Sequence, residues 1–190
     1  MVFAIFWVST VALPCSVVLD VVEVFAAPEY RFCPQCGGNL ALRDEGGLSR
    51  PACAMPECGF VLWDNPVPVV AALVTLGGKV VLARNVAWPE KQFALIAGYL
   101  ERDETPEAAV IREVSEELGL QARSASLIGL YAFTEKNQLI IAYHVDAIGN
   151  ILLNEELAEY RLIAPDKLKA WDKGTGPAVR DWLAKYVETV

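Results

Sequence analysis

Residues 98–120, GYLERDETPEAAVIREVSEELGL, decide the fold of this chain. Thr105 followed by Pro106 is typical of a helix start, because a threonine side chain can cap the first turn and proline suits the first helical position. Gly119 is typical of a helix end. The stretch therefore predicts a helix over Thr105–Leu118.

The same stretch is strongly acidic. It contains seven acidic and two basic residues, a net charge of −5. On a helix Glu113, Glu116 and Glu117 fall within about 100° of one another, beside an apolar face. Like charges a few ångströms apart repel by roughly 4 kcal/mol per pair, so the cluster would protonate, extend into water or bind a cation. Carboxylate oxygens suit Mg²⁺ or Mn²⁺, and the alternative is a solvated acidic helix.

These residues resemble the Nudix box, G-x5-E-x7-R-E-U-x-E-E-x-G-U with U aliphatic. Every fixed position is filled, by Gly98, Glu104, Arg112, Glu113, Val114, Glu116, Glu117, Gly119 and Leu120. The resemblance runs from about Val67 to the C-terminus. It implies an α/β (α+β) fold, an α/β/α sandwich with a mixed sheet, and a hydrolase that cleaves a nucleoside diphosphate linked to another group.

The resemblance also implies roles for residues of the box. Glu113, Glu116 and Glu117 would form the catalytic set and bind Mg²⁺ or Mn²⁺, together with the main-chain carbonyl of Gly98. Glu116 or Glu117 would assist the deprotonation of the attacking water.

Two further roles follow from the same resemblance. Glu104 and Arg112 would orient the loop and the helix through an ion pair. Many members take another metal-binding carboxylate from a loop after the box, and here Glu156 is our choice, with Glu155 as the alternative.

Four cysteines precede this region as Cys33-Pro-Gln-Cys36 and, after sixteen intervening residues, Cys53-Ala-Met-Pro-Glu-Cys58. Short gaps within each pair let a tight turn aim two thiolates at one point, which favours tetrahedral zinc over two disulfides or four free thiols. Four cysteine ligands leave no open position, so a structural role is expected. The segment resembles the zinc ribbons of nucleotide-handling enzymes.

A four-cysteine ribbon before a Nudix domain is similar to the arrangement in NADH pyrophosphatases. Their S-Q-P-W-P-F-P-x-S array is replaced here by SASLIGLYAF at 124–133. The layout is also similar to plant FAD pyrophosphohydrolases, so NADH, FAD and ADP-ribose all stay candidate substrates. Arg84 is a candidate phosphate contact, with a surface arginine as the alternative. Three aromatics are candidate base-stacking residues, although an aromatic side chain is more often part of a core: Trp88, Tyr99 and Phe133.

Composition bounds the partners. The net charge of −8 excludes binding to DNA or RNA through a broad basic surface, although removal of a nucleotide cap from RNA stays open. Family resemblance suggests a homodimer. A binding module that docks nucleic acid or protein through the ribbon, without turnover, is the alternative function.

The chain divides into three segments. Residues 1–27 hold 21 apolar positions and are expected to be an extra element or leader on a cytoplasmic protein, with a degenerate signal or membrane anchor as the alternative. Residues 28–64 form the expected zinc ribbon and residues 65–190 the hydrolase domain. Within the latter, the predicted elements are a hairpin of 67–76 and 79–83, strands at 125–133 and 138–145, and a helix at 177–187.

Overall fold

The computed structural model describes residues 30–189, so the apolar stretch 1–27 lies outside the described residues. The described part contains a two-stranded sheet, a six-stranded sheet and two α-helices. In chain order the elements are β1 (Leu40–Glu45), β2 (Leu48–Cys53), β3 (Val67–Leu76), β4 (Lys79–Asn85), β5 (Ile96–Tyr99), α1 (Pro106–Leu118), β6 (Gln121–Phe133), β7 (Gln138–Ile148), β8 (Leu157–Ile163) and α2 (Gly176–Thr189).

The larger sheet is mixed. Its strand order is β6-β7-β3-β4-β8, and β5 pairs with β3 beside this path. β3 runs parallel to β7, and the other strand pairs are antiparallel. Gly77 and Gly78 connect β3 to β4 with φ angles of 57° and 76°, a left-handed backbone that glycine adopts without a steric penalty.

β3 has a helix on each of its faces because both faces are apolar. Val70, Ala72 and Val74 lie in one core cluster with the buried side of α1. Leu73 lies in a second cluster with Val179 and Trp182 of α2. The predicted α/β/α sandwich with a mixed sheet is therefore confirmed.

The ends of α1 are fixed by its sequence. The Thr105 side chain accepts a hydrogen bond of 3.2 Å from the N–H of Ala108, and Pro106 occupies the first turn. Gly119 has a φ of 65° and donates its N–H to the Ser115 carbonyl. The predicted helix thus begins one residue inside its cap and ends at Leu118.

Neither helix within residues 30–189 has the length and apolar character that a membrane crossing requires.

Candidate metal centre

Two of the three clustered glutamates of α1 face the sheet. Glu113 and Glu117 are only 9% and 8% exposed, whereas Glu116 lies on the solvent side. Glu113 and Glu117 follow the helical spacing of the buried residues Val110 and Val114, so the fold carries both carboxylates into the interface between α1 and the sheet. A buried carboxylate is costly unless it is paired, hydrogen-bonded or metal-bound.

Gly98 lies directly against the carboxylate of Glu113. A Cβ atom built at Gly98 would overlap both carboxylate oxygens of Glu113. β5 places Gly98 there because it pairs with Val70, whose side chain packs in the α1 cluster. This position of the Glu113 carboxylate is therefore compatible only with glycine at residue 98.

Arg112 links the glutamates to the preceding loop. It donates two hydrogen bonds to Glu104, from Nη2 at 2.8 Å and from Nε at 3.2 Å. Its Nη1 donates to Glu113 at 2.6 Å and to Glu116 at 3.1 Å, and Nη2 also donates to the Tyr99 carbonyl at 3.2 Å. A planar guanidinium can make such a forked set of contacts, and a lysine cannot.

The charges of this cluster shift the pKa values of its members. Hydrogen bonds from Arg112 and from the N–H of Glu101 hold the pKa of Glu104 below its usual range. Hydrogen bonds to Glu104, Glu113 and Glu116 raise the pKa of Arg112. Burial, followed by the charges of Glu113 and Glu156, raises the pKa of Glu117 to about 8. Ionisation of Glu117 is therefore opposed both by burial and by the negative charges of its neighbours.

A loop brings Glu156 beside Glu117. The N–H groups of Leu152 and Asn154 donate to the carbonyls of Leu118 and Glu117, at 2.8 Å and 3.2 Å. The negative charge of Glu156 is among the causes of the raised pKa of Glu117. Glu156 thus lies close enough for its charge to act on Glu117, at the end of α1 that also carries Glu113 and Glu116.

The donor set fits a hard divalent cation. The potential ligands are carboxylate oxygens and the backbone of Gly98. In this structure the Arg112 guanidinium supplies the positive charge beside Glu113 and Glu116. Within residues 30–189 these carboxylates do not converge within 4.8 Å as a group, a spacing that the four cysteine sulfurs do meet. Glu113 and Glu116 are joined through Arg112, and the negative charge of Glu113 is among the causes of the raised pKa of Glu117.

The candidate substrate contacts lie in three places. Tyr99 is 58% exposed and adjoins the box through its carbonyl. Arg84 is paired with Glu159 at 2.8 Å and donates to the carbonyl of Trp88, which is 37% exposed. Phe133 packs on the α2 side of the sheet with Ala178, so the structure does not bring it to the α1 carboxylates.

The four cysteines form a second candidate centre. Sγ of Cys33 lies 3.6 Å from that of Cys58, and Sγ of Cys36 lies 3.5 Å from that of Cys53. These distances exclude disulfides, whose S–S bond is about 2.05 Å, and are close to the edge of about 3.8 Å in a zinc–thiolate tetrahedron. All four cysteines are free thiols, so the set fits zinc.

The backbone prepares one of these thiols for ionisation. Burial opposes the charged form of Cys33, but hydrogen bonds from the backbone of Cys36 and Gln35 lower its pKa to about 7. The loop can make them because Gly37, with a φ of 73°, turns tightly enough to donate its N–H to the Cys33 carbonyl.

A cavity of about 480 Å³ lies on the other side of the sheet, between α2 and the ends of β3 and β7. Thr75, His144 and Trp182 line it, and the hydroxyl of Thr75 is 2.9 Å from Nε2 of His144. None of the box glutamates borders it. His144 is half-buried, and its ring lies 5.4 Å from that of Trp182.

Comparisons with known proteins agree with this geometry. The NUDIX domain family model matches residues 65–185. A NAD-capped RNA hydrolase NudC of Stutzerimonas stutzeri is 29% identical over 161 residues, covering 84% of this chain and 55% of the relative. Its counterpart in Mycobacterium tuberculosis is 35% identical over 137 residues, covering 66% and 43%. The chain thus spans about half the length of the curated relatives it matches.

Solved structures show the same fold. A NUDIX hydrolase from Nitrosomonas europaea superimposes with a TM-score of 0.68 at 23% identity, covering 84% of this chain and 93% of the other. An ADP-ribose pyrophosphatase from Streptococcus suis gives a TM-score of 0.53 at 17% identity, covering 64% and 92%.

Proposed function

Because the chain belongs to the NUDIX domain family, we propose that it is a divalent-cation-dependent hydrolase of a pyrophosphate bond in a nucleoside diphosphate linked to another group. The observation that carries the proposal is the burial of Glu113, beside Gly98, and of Glu117, one helical turn further along α1. Arg112 pairs with Glu113, but burial and the charges of neighbouring acids raise the pKa of Glu117 to about 8, so the ionised pair gains stability when a cation binds it.

The cation, Mg²⁺ or Mn²⁺, is held in this proposal by Glu113, Glu116 and Glu117, the Gly98 carbonyl and Glu156. A bound cation would neutralise the negative charge of the pyrophosphate oxygens and lower the pKa of the attacking water. The ion pair between Arg112 and Glu104 holds the loop that follows Gly98 against α1.

Proton transfer is assigned to the glutamates of α1. Glu116 or Glu117 accepts the proton of the attacking water. Without a cation, burial raises the pKa of Glu117 to about 8. A bound divalent cation would lower this pKa, so that the carboxylate is ionised and can accept a proton.

The substrate class is a dinucleotide pyrophosphate of the NAD type. This choice is supported by two relatives that are named NAD-capped RNA hydrolases. The net charge of −8 disfavours strong contacts to a long RNA, so we expect the chain to read the capped end and to show little salt dependence. The exposed Trp88 and Tyr99 are the proposed stacking surfaces for a base.

In this proposal residues 28–64 are a structural zinc ribbon and residues 65–190 the hydrolase domain. The convergence of Cys33, Cys36, Cys53 and Cys58 supports zinc. With four sulfur ligands the ion has no open position for substrate, so it stabilises a segment that is too small to fold around a core of its own.

A panel of nucleotides tests the activity. The zinc-loaded protein is incubated with Mg²⁺ and NADH, NAD, FAD, ADP-ribose, sugar nucleotides, dinucleoside polyphosphates or NAD-capped RNA, and products are identified by mass. We expect release of a mononucleotide, lost in Glu116→Gln and in Glu117→Gln. Glu107→Gln is the matched control, because Glu107 is exposed on the same helix.

Turnover that survives in both glutamine variants would contradict the proposal. Nucleotide or RNA binding without turnover in the wild-type protein would also contradict it, and would favour the alternative of a binding module.

A further inference from the structure

The loop between β7 and β8 packs along the end of α1. Ile151, Leu153 and Leu157 contact the core cluster that contains α1. Two backbone hydrogen bonds tie this loop to the helix end, from Leu152 to Leu118 and from Asn154 to Glu117. The loop is therefore fixed to the residue that carries one of the buried carboxylates.

Asn154 makes two contacts within this arrangement. Its N–H donates to the Glu117 carbonyl at 3.2 Å, and its side-chain Oδ1 accepts the N–H of Glu156 at 3.1 Å. The second contact is an Asx turn, in which the side chain replaces a backbone carbonyl as the acceptor. One residue thus connects the backbones of Glu117 and Glu156.

The other side of Glu156 is fixed as well. Its carbonyl accepts the N–H of Val86, in the loop after β4, at 2.8 Å. The side chain itself is exposed, so its carboxylate owes its place near Glu117 to the conformation of its backbone.

We propose that Asn154 is a positioning residue of the metal centre: through its Asx turn it holds the backbone of Glu156 so that the Glu156 carboxylate joins Glu117 on the bound cation. This inference rests on the proposed function, since it assumes that a divalent cation binds at these glutamates. Asn154 itself does not contact the cation or the substrate.

The test measures Mn²⁺ affinity by electron paramagnetic resonance with the full chain. Asn154→Ala removes the acceptor, and we expect the affinity to fall on the order of threefold to tenfold, the effect of one lost hydrogen bond. Asn154→Ser keeps a shorter, uncharged acceptor and should restore part of the affinity. Asn150→Ala, at an exposed asparagine of the same loop, is the matched control and should bind as the wild type does.

A double-mutant cycle separates positioning from a general loss of structure. If Asn154 acts through Glu156, Asn154→Ala should have no further effect on Mn²⁺ affinity in a Glu156→Gln background. An equal loss in both backgrounds would overturn the inference, and so would an Asn154→Ala protein that binds Mn²⁺ like the wild type.

The same titration distinguishes this inference from the proposed function. If Mn²⁺ binding requires Glu117 but Glu156→Gln leaves it unchanged, the positioning role is wrong and the metal centre stands. If Glu117→Gln binds Mn²⁺ as the wild type does, the metal centre itself is wrong.

Discussion

The four-cysteine cluster and the glutamate cluster arrange their ligands differently. All four sulfurs already lie within 4.8 Å of one another, whereas Glu113 and Glu116 are held by Nη1 of Arg112. The physical reason is charge, because neutral thiols can pack together but adjacent carboxylates repel. A zinc ion would bind thiols that already lie together, whereas a divalent cation at the glutamates would replace Arg112 as their counter-charge. Removal of the two ions should therefore affect the protein differently.

Zinc removal should have the largest effect. Binding of structural zinc contributes about 10–16 kcal/mol in small metal-folded domains, and β1 and β2 form a sheet of two strands only. We expect Cys53→Ser to lose zinc, measured by elemental analysis, and to lose hydrogen-exchange protection in β1 and β2. Ser49→Ala, exposed in the same hairpin, should retain both.

The larger sheet should remain protected in Cys53→Ser, since its core clusters contain no cysteine. Unfolding of the larger sheet together with the ribbon would show that the two regions are not independent. Acidification should also weaken zinc binding, because the thiols, including Cys33 with a pKa of about 7, must lose their protons to bind.

A pH effect on the glutamate cluster comes next in size. Burial raises the pKa of Glu117 from 4.5 to about 8, so the folded state binds this proton more tightly than the unfolded chain does. Without divalent cations, stability should therefore fall as pH rises from about 4.5 to 8, by on the order of 3 kcal/mol after allowing for solvent screening.

Urea unfolding of the metal-free protein across this pH range measures the effect. Glu117→Gln cannot ionise, so it should lose less stability and be more stable than the wild type above pH 8. Parallel pH profiles for the two proteins would show that Glu117 is not buried with an uncompensated charge.

Replacement of Arg112 tests its role as the internal counter-charge. Arg112→Lys retains the charge but cannot contact Glu104, Glu113 and Glu116 together, so we expect a loss of about 2 kcal/mol in the free energy of unfolding. Saturating Mg²⁺ should reduce the loss, because the cation would take over Glu113 and Glu116. A loss that is equal with and without Mg²⁺ in urea unfolding would contradict this role.

Gly98→Ala should have the smallest effect on stability and a clear effect on metal binding. The added Cβ overlaps only the end of the flexible Glu113 side chain, which can move away, so we expect a change below about 1 kcal/mol in thermal unfolding. The displaced carboxylate should weaken Mg²⁺ binding in calorimetry. Unchanged Mg²⁺ affinity would show that Glu113 is not a ligand in its present position.

Much of the fold could be predicted from local pattern. The hairpin of β3 and β4 and the caps of α1 follow from glycine, threonine and proline at fixed places. β6 begins at Gln121 instead of the predicted residue 125, because pairing with β7 extends it through polar residues at the sheet edge. β8 was not predicted, since its alternation includes Glu159 and Arg161 and depends on β4 as a partner.

The candidate site, like the fold, could be predicted only in part. The box spacing identified the glutamates, but it did not reveal that Glu113 and Glu117 are buried, although both occupy positions of the core-facing stripe. The contact between Asn154 and Glu156 was missed. Its signal was present in the sequence, because asparagine two residues before the glutamate is a typical Asx-turn pattern.

The most direct test of the glutamate centre is calorimetric titration of the zinc-loaded protein with Mg²⁺ at neutral pH. The wild type and Glu107→Gln should bind alike, and a Glu116→Gln/Glu117→Gln protein should lose more than the roughly 10–100-fold that an outer contact contributes. Equal Mg²⁺ uptake by all three proteins would contradict the assignment of these glutamates as the metal ligands.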